Sequence, residues 1–169
     1  MSTLTLIALA VAAVARPPAD TKLVTEAVVD APVAAVWAAF TTKAGQESWN
    51  VAHADIDLRV GGLMRTHYDP KGALGDPGTI ENTILCFDPG RMFAIKATKP
   101  PANFPLKEAL KGMWTVVYFE PVGAGRTKVT AVGLGFGTDA DGQKLRGFFE
   151  AGNAQTMKKL QQKFAKPAK

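Results

Sequence analysis

Proline and glycine cut the middle of this chain into short pieces, and that punctuation limits what it can fold into. Gly61-Gly62, the stretch 69–78 with two prolines and three glycines, Asp88-Pro89-Gly90, and the run from Pro121 to Gly125 are all turn-forming. Between them lie alternating or β-branched runs over residues 55–60, 63–68, 79–87, 92–98, 113–120 and 127–136. Each is strand-sized and separated by turn chemistry from the next, the pattern of consecutive antiparallel hairpins. Residues 99–111 carry Pro100, Pro101 and Pro105, so a longer excursion is expected there, with one helical turn near 106–110.

Different periodicities flank this β region. Residues 22–29 read as a first strand, and Asp30-Ala31-Pro32 stops it. Proline suits the first position of a helix, and Val33, Val36, Trp37 and Phe40 then recur at helical spacing. A second short helix is expected over 43–49. At the other end, Thr138-x-x-Asp141 has the form of a capping box with Asp in place of Glu. Leu145, Phe149, Thr156/Met157, Leu160 and Phe164 follow on one stripe flanked by Phe148, until Pro167. Gly147 and Gly152 inside that helix each cost about 1 kcal/mol relative to alanine, which marks a close backbone approach or room left beside them. The element order is β-α-α-β6-α. The fold class is α+β, a curved antiparallel sheet of about seven strands wrapped round a long C-terminal helix.

The 169 residues suit one domain with its own core. Charge is uneven: residues 1–90 carry six Lys/Arg against ten Asp/Glu, and residues 91–169 carry fourteen against five. The late lysines, Lys158, Lys159, Lys163, Lys166 and Lys169, read as a solvated helix face and a basic tail. No nucleic-acid motif accompanies them. A single cysteine, Cys86, excludes an intramolecular disulfide and reads as a small hydrophobe within Ile84-Leu85-Cys86-Phe87. Residues 4–14 are apolar apart from Thr5 and too short to span a bilayer. They end in Ala13-Val14-Ala15, so residues 1–15 read as a secretory signal cut after Ala15, although Met1-Ser2-Thr3 supplies no basic side chain. The expected plan is a signal at 1–15, a linker at 16–21, the domain at 22–165 and a basic tail at 166–169. The mature protein is then periplasmic or secreted without stable membrane insertion. The alternative is a cytoplasmic protein.

Several segments resemble the SRPBCC, START-like (birch-pollen-allergen-like) superfamily, in its branch of heat-shock ATPase activator homologues. They are Asp30-Ala31-Pro32 with Val36-Trp37-Ala38-Ala39-Phe40-Thr41, then Trp49, Asp57-Leu58-Arg59-Val60-Gly61-Gly62 and Phe87-Asp88-Pro89-Gly90-Arg91-Met92. Phe119-Glu120-Pro121 and Gly125-Arg126-Thr127-Lys128-Val129-Thr130 complete the set. The resemblance runs from about Lys22 to Phe164 and implies the helix-grip fold. It also implies a role among hydrophobic-ligand binding, chaperone assistance and cyclase-like or hydrolase-like catalysis. Two places depart from the pattern: Gly133-Leu134-Gly135 stands where this branch has a His-Ser/Thr-Gly run, and Trp49-Asn50 where it has a tryptophan pair.

Residue chemistry narrows this little. The only histidines are His53 and His67. His67 shares a strand face with Arg65 and Asp69, either as an oriented imidazole for acid–base work or as a solvent-facing polar row. His53 with Asp55 and Asp57 lacks the further ligand that zinc requires, so no metal or other cofactor is expected. Gly133-x-Gly135-x-Gly137 lacks the lysine and the βαβ setting of a phosphate loop. The apolar inventory is richer. A cavity between sheet and closing helix is expected to be lined from Trp37, Phe40, Trp49, Met64, Phe93, Trp114, Tyr118, Phe136, Phe148, Phe149 and Met157, with His67, Tyr118 or Arg65 giving a polar contact. The leading expectation is an exported, non-enzymatic module for a small hydrophobic molecule. The alternatives are an enzyme acting on such a molecule and a chaperone-assisting interaction module.

Overall fold

The computed structural model describes residues 22–165. The signal, linker and tail expected at 1–15, 16–21 and 166–169 lie outside the described residues. Strand β1 (Leu23–Val29) leads into helix α1 (Val33–Thr41) and short helix α2 (Lys43–Glu47). Pro32 is the cap before α1, one position earlier than the sequence predicts, with extended φ −68° and ψ 153°. Its carbonyl accepts from the N–H groups of Ala35 and Val36 at 3.0 and 3.2 Å. Thr42 divides the two helices, and its hydroxyl accepts from Gly45 N–H at 3.0 Å to cap α2.

Six strands follow: β2 (His53–Ile56), β3 (Leu63–His67), β4 (Ile80–Asp88), β5 (Met92–Lys99), β6 (Trp114–Pro121) and β7 (Thr127–Leu134), with helical turn α3 (Lys107–Leu110) before β6. With β1 they form one seven-stranded sheet in the order β1-β7-β6-β5-β4-β3-β2, every pairing antiparallel. The strand expected over 55–60 is displaced to His53–Ile56. Residues 57–60 turn away because Arg59 N–H bonds back to the Asp57 carbonyl at 2.8 Å. The register of β4 against β5 slips between Ile84 and Cys86, which leaves Ile84 fully buried and Cys86 exposed. The thiol therefore does not behave as a core hydrophobe.

Helix α4 (Ala140–Lys163) closes the domain. Its cap is Asp139, not Thr138: the Asp139 carboxylate accepts from Gly142 N–H at 2.8 Å. A side chain at Gly142 would lie 2.2 Å from the Gly137 carbonyl oxygen, so only glycine fits where the helix leaves the sheet. α4 lies against β1 and α3, and Gln161 donates to the Val28 carbonyl on β1 at 3.2 Å. The helix ends at Lys163, short of Pro167, as the bias against helix before proline requires.

Candidate functional site

The buried apolar residues fall into two clusters. The larger joins α1 to the middle of the sheet through Val36, Phe40, Phe93, Val117, Phe119 and Val129, and takes Met157 and Leu160 from α4. The smaller gathers Leu23, Leu110, Met113 and Phe136 around Leu145, with Phe104 and Phe149 packed on it. Helix α4 thus anchors in one cluster near its start and in the other near its end. Between Phe149 and Met157 it offers Gly152, Asn153 and Thr156, none large and apolar.

That gap in the stripe opens a cavity of about 530 Å³ between α4 and the inner face of the sheet. Met64, Phe93, Ile95 and Val117 form its floor, with Phe40 on the α1 side. Pro100, Pro101, Phe104, Leu110 and Met113 wall the side of the excursion before β6. Phe148, Phe149, Gly152, Asn153, Gln155, Thr156 and Lys159 make the roof. A Cβ placed on Gly152 would meet nothing within 4 Å, so this glycine leaves room.

Polar groups are spread around the wall. Gln46 and Asn50 hold each other at the α2 end: Asn50 donates to the Gln46 side-chain oxygen at 2.8 Å, and Gln46 donates to the Phe40 carbonyl at 2.9 Å. Thr66, Tyr68, Asn82 and Thr115 turn from the sheet toward the space, in register with Ile80, Met64 and Ile95. Tyr68 is 54% exposed, and partial desolvation by the wall around its phenol moves its pKa up from the ordinary value. Among the described lining residues, Tyr68 and Lys159 are the only titratable side chains.

Of the residues predicted from sequence, the structure brings Phe40, Met64, Phe93, Phe148 and Phe149 to the cavity. Trp37 and Trp49 stand one layer back. Trp37 packs edge-on against Phe93 and Phe119, and Trp49 packs against Phe40 while its indole N–H donates to the Ala39 carbonyl at 3.1 Å. Met157 and Phe136 are consumed by the two clusters. Trp114 and Tyr118 are 36% and 40% exposed, and Tyr118 borders a separate surface depression beside Asp88–Met92.

His67 departs from both readings given above. It lies on the opposite face of β3 from Met64 and Thr66, yet it is only 7% exposed, because the 69–79 loop folds over it. Gly72 and Gly78 approach so closely that a Cβ on either would fall 2.2 and 2.7 Å from ring atoms. Nδ1 accepts from Asp69 N–H at 3.2 Å. This imidazole is a packing element under a loop, not a polar row in solvent and not a cavity group. Arg65 pairs with Asp55 across β2 and β3 on that outer face. No group of three or more His, Cys, Asp or Glu among the described residues is placed to hold a metal. No described helix is long and apolar enough to cross a membrane. The lining residues that sequence reasoning missed include the polar Thr66, Tyr68, Asn82 and Asn153 and the apolar Ile80, Ile95 and Val117. For Thr66, Tyr68 and Asn153 the available signal was shared parity with Met64 on β3 or the break in the α4 stripe.

A seven-stranded antiparallel sheet closed by one long helix over an apolar cavity defines a helix-grip domain of the SRPBCC type. The chain belongs to the family described as Activator of Hsp90 ATPase homolog 1-like protein, which it matches over residues 30–165. Solved structures share the fold. Protein MLL2253 from Mesorhizobium loti superposes with a TM-score of 0.65 at 20% identity, over 84% of this chain and 95% of that one. The Aha1 dimer from Colwellia psychrerythraea gives 0.66 at 15% identity, over 85% and 95%. Ms6760 from Mycobacterium smegmatis gives 0.64 at 20%, over 89% and 94%. At these identities the likeness carries the fold alone. A search of curated proteins gives no match.

Proposed function

We propose that this chain is a non-enzymatic binding module for a small, largely hydrophobic molecule, and that it works outside the cytoplasm. The cavity carries the first part. Its volume of about 530 Å³ is in the range of ligand sites, its walls are mainly apolar, and scattered amide and hydroxyl groups can set orientation. Among its lining residues the titratable groups are Tyr68 and Lys159, with neither an imidazole nor a carboxylate to complete an acid–base pair with them, which favours binding over catalysis. A protein-docking role would need an exposed apolar groove, whereas this space is roofed by α4. The second part is supported by the apolar run at 4–14 and Ala13-Val14-Ala15.

The test is native mass spectrometry of the protein purified from its own host. A bound small molecule lost on denaturation is expected, on a chain beginning at Arg16. Protein that is empty, and that also fails to take up the neutral dye N-phenyl-1-naphthylamine, would overturn the binding reading. An intact Met1 terminus would overturn export.

A further inference from the structure

Resting on the cavity as a ligand site, we infer that the molecule it takes carries an acidic group, a carboxylate or an equivalent anion, which Lys159 meets at the cavity wall. Lys159 is the one cation among the described lining residues, and no Asp or Glu joins it there. It makes no salt bridge or side-chain hydrogen bond among the described residues, a property it shares with Lys158 and Lys163 on the same helix. From residue 151 to the end of α4 the helix carries Lys158, Lys159 and Lys163 and no acidic side chain.

An amine-bearing ligand would therefore meet a like charge with no carboxylate to offset it. Lys159 is exposed at the rim of the space, where an acid would gain a charge-assisted hydrogen bond that salt weakens. Asn153 and Gln155 line the roof with no side-chain hydrogen bond of their own, and the Tyr68 hydroxyl is unpartnered among the described residues. The apolar floor of Met64, Phe93 and Val117 would take the remainder of the molecule. A lone lysine on a solvated helix face has no such company. Its membership of the cavity wall is what separates Lys159 from Lys158 and Lys163.

The experiment compares matched probes differing only in the head group. N-phenyl-1-naphthylamine is displaced from the full chain by dodecanoate and by dodecanol at pH 7.5 and low salt. Dodecanoate is expected to bind about tenfold more tightly, equal to about 1.4 kcal/mol. The ratio should collapse toward one in Lys159→Gln, return in Lys159→Arg, and shrink as salt is added. Lys158→Gln, one residue away and off the wall, should keep it. Equal affinities of the two probes for the wild-type chain would overturn the acidic-ligand inference while leaving the cavity reading intact. A ratio that survives Lys159→Gln would overturn the role given to Lys159. Failure of dye, acid and alcohol alike to bind would remove the cavity reading on which the inference rests.

Discussion

Gly147 and Gly152 lie on the same helix, and a Cβ at either would meet nothing within 4 Å. Only Gly152 borders the cavity. Glycine in a helix interior costs roughly 0.5–1 kcal/mol relative to alanine through backbone entropy, and no clash offsets that here. Gly147→Ala and Gly152→Ala should therefore each raise stability by about that amount. For a domain of this size the rise is about 2–4 °C in Tm per kcal/mol, readable by circular dichroism. Larger side chains separate the two positions. Gly152→Phe places a ring in the space under α4 and should weaken N-phenyl-1-naphthylamine binding by about tenfold or more, a loss of at least about 1.4 kcal/mol. Gly147→Phe should leave dye affinity within a factor of about two. If Gly152→Ala lowers Tm, the space beside it is filled and the reading of α4 fails. If the two Phe variants bind dye equally, the dye is held elsewhere.

Gly142 behaves oppositely to the other two glycines of α4. Because its Cβ would strike the Gly137 backbone oxygen at 2.2 Å, Gly142→Ala should destabilise by about 1–3 kcal/mol, seen as a lower urea midpoint at unchanged m-value. Asp139→Ala removes the carboxylate that caps the same turn and should cost about 1 kcal/mol, while Asp139→Asn should retain most of it. Glu47 gives a pH-dependent case: the Lys43 ammonium, and then the Ala54 N–H at 2.9 Å, hold its carboxyl below the ordinary value. A depressed carboxylate stabilises above its unfolded pKa and loses that contribution as pH falls through the folded one. The Tm deficit of Glu47→Gln should thus be present at pH 7 and close as pH drops below about 4.5; a gap constant down to pH 3 would contradict it.

Element order was readable because period-two alternation and Pro/Gly turns act locally, and every strand expected in the middle of the chain is present. Alternation does not say which of its two faces points inward. On β3 and the residue after it, alternation separates Met64, Thr66 and Tyr68 from Arg65 and His67, but it does not show that a loop buries His67 on the outer face while Tyr68 stays 54% exposed. Bulk misleads in a related way. Trp37, Trp49 and Met157 are large enough to line a cavity, yet large side chains are what the two clusters use to fill themselves. What borders the cavity is often what cannot fill it, such as Gly152, Asn153 and Thr66. Cys86 was misjudged for a third reason, since a one-residue slip in β4 reverses the inward face and leaves no mark in composition.

The two-point anchoring of α4 has a consequence for how such a domain can change over time. The residues that fasten the helix, Leu145 toward one end and Met157 with Leu160 toward the other, are separate from those that roof the space between them, except for Phe149, which packs on the smaller cluster and also lines the roof. Substitutions at 152, 153, 155, 156 or 159 can remodel the chamber without loosening either fastening. The floor differs, since Met64, Phe93 and Val117 belong to the larger cluster, whereas Thr66 and Asn82 beside them belong to neither. Descendants of one ancestral domain could thus keep the fold while exchanging one molecule for another, which makes family membership a sound guide to architecture and a poor one to cargo.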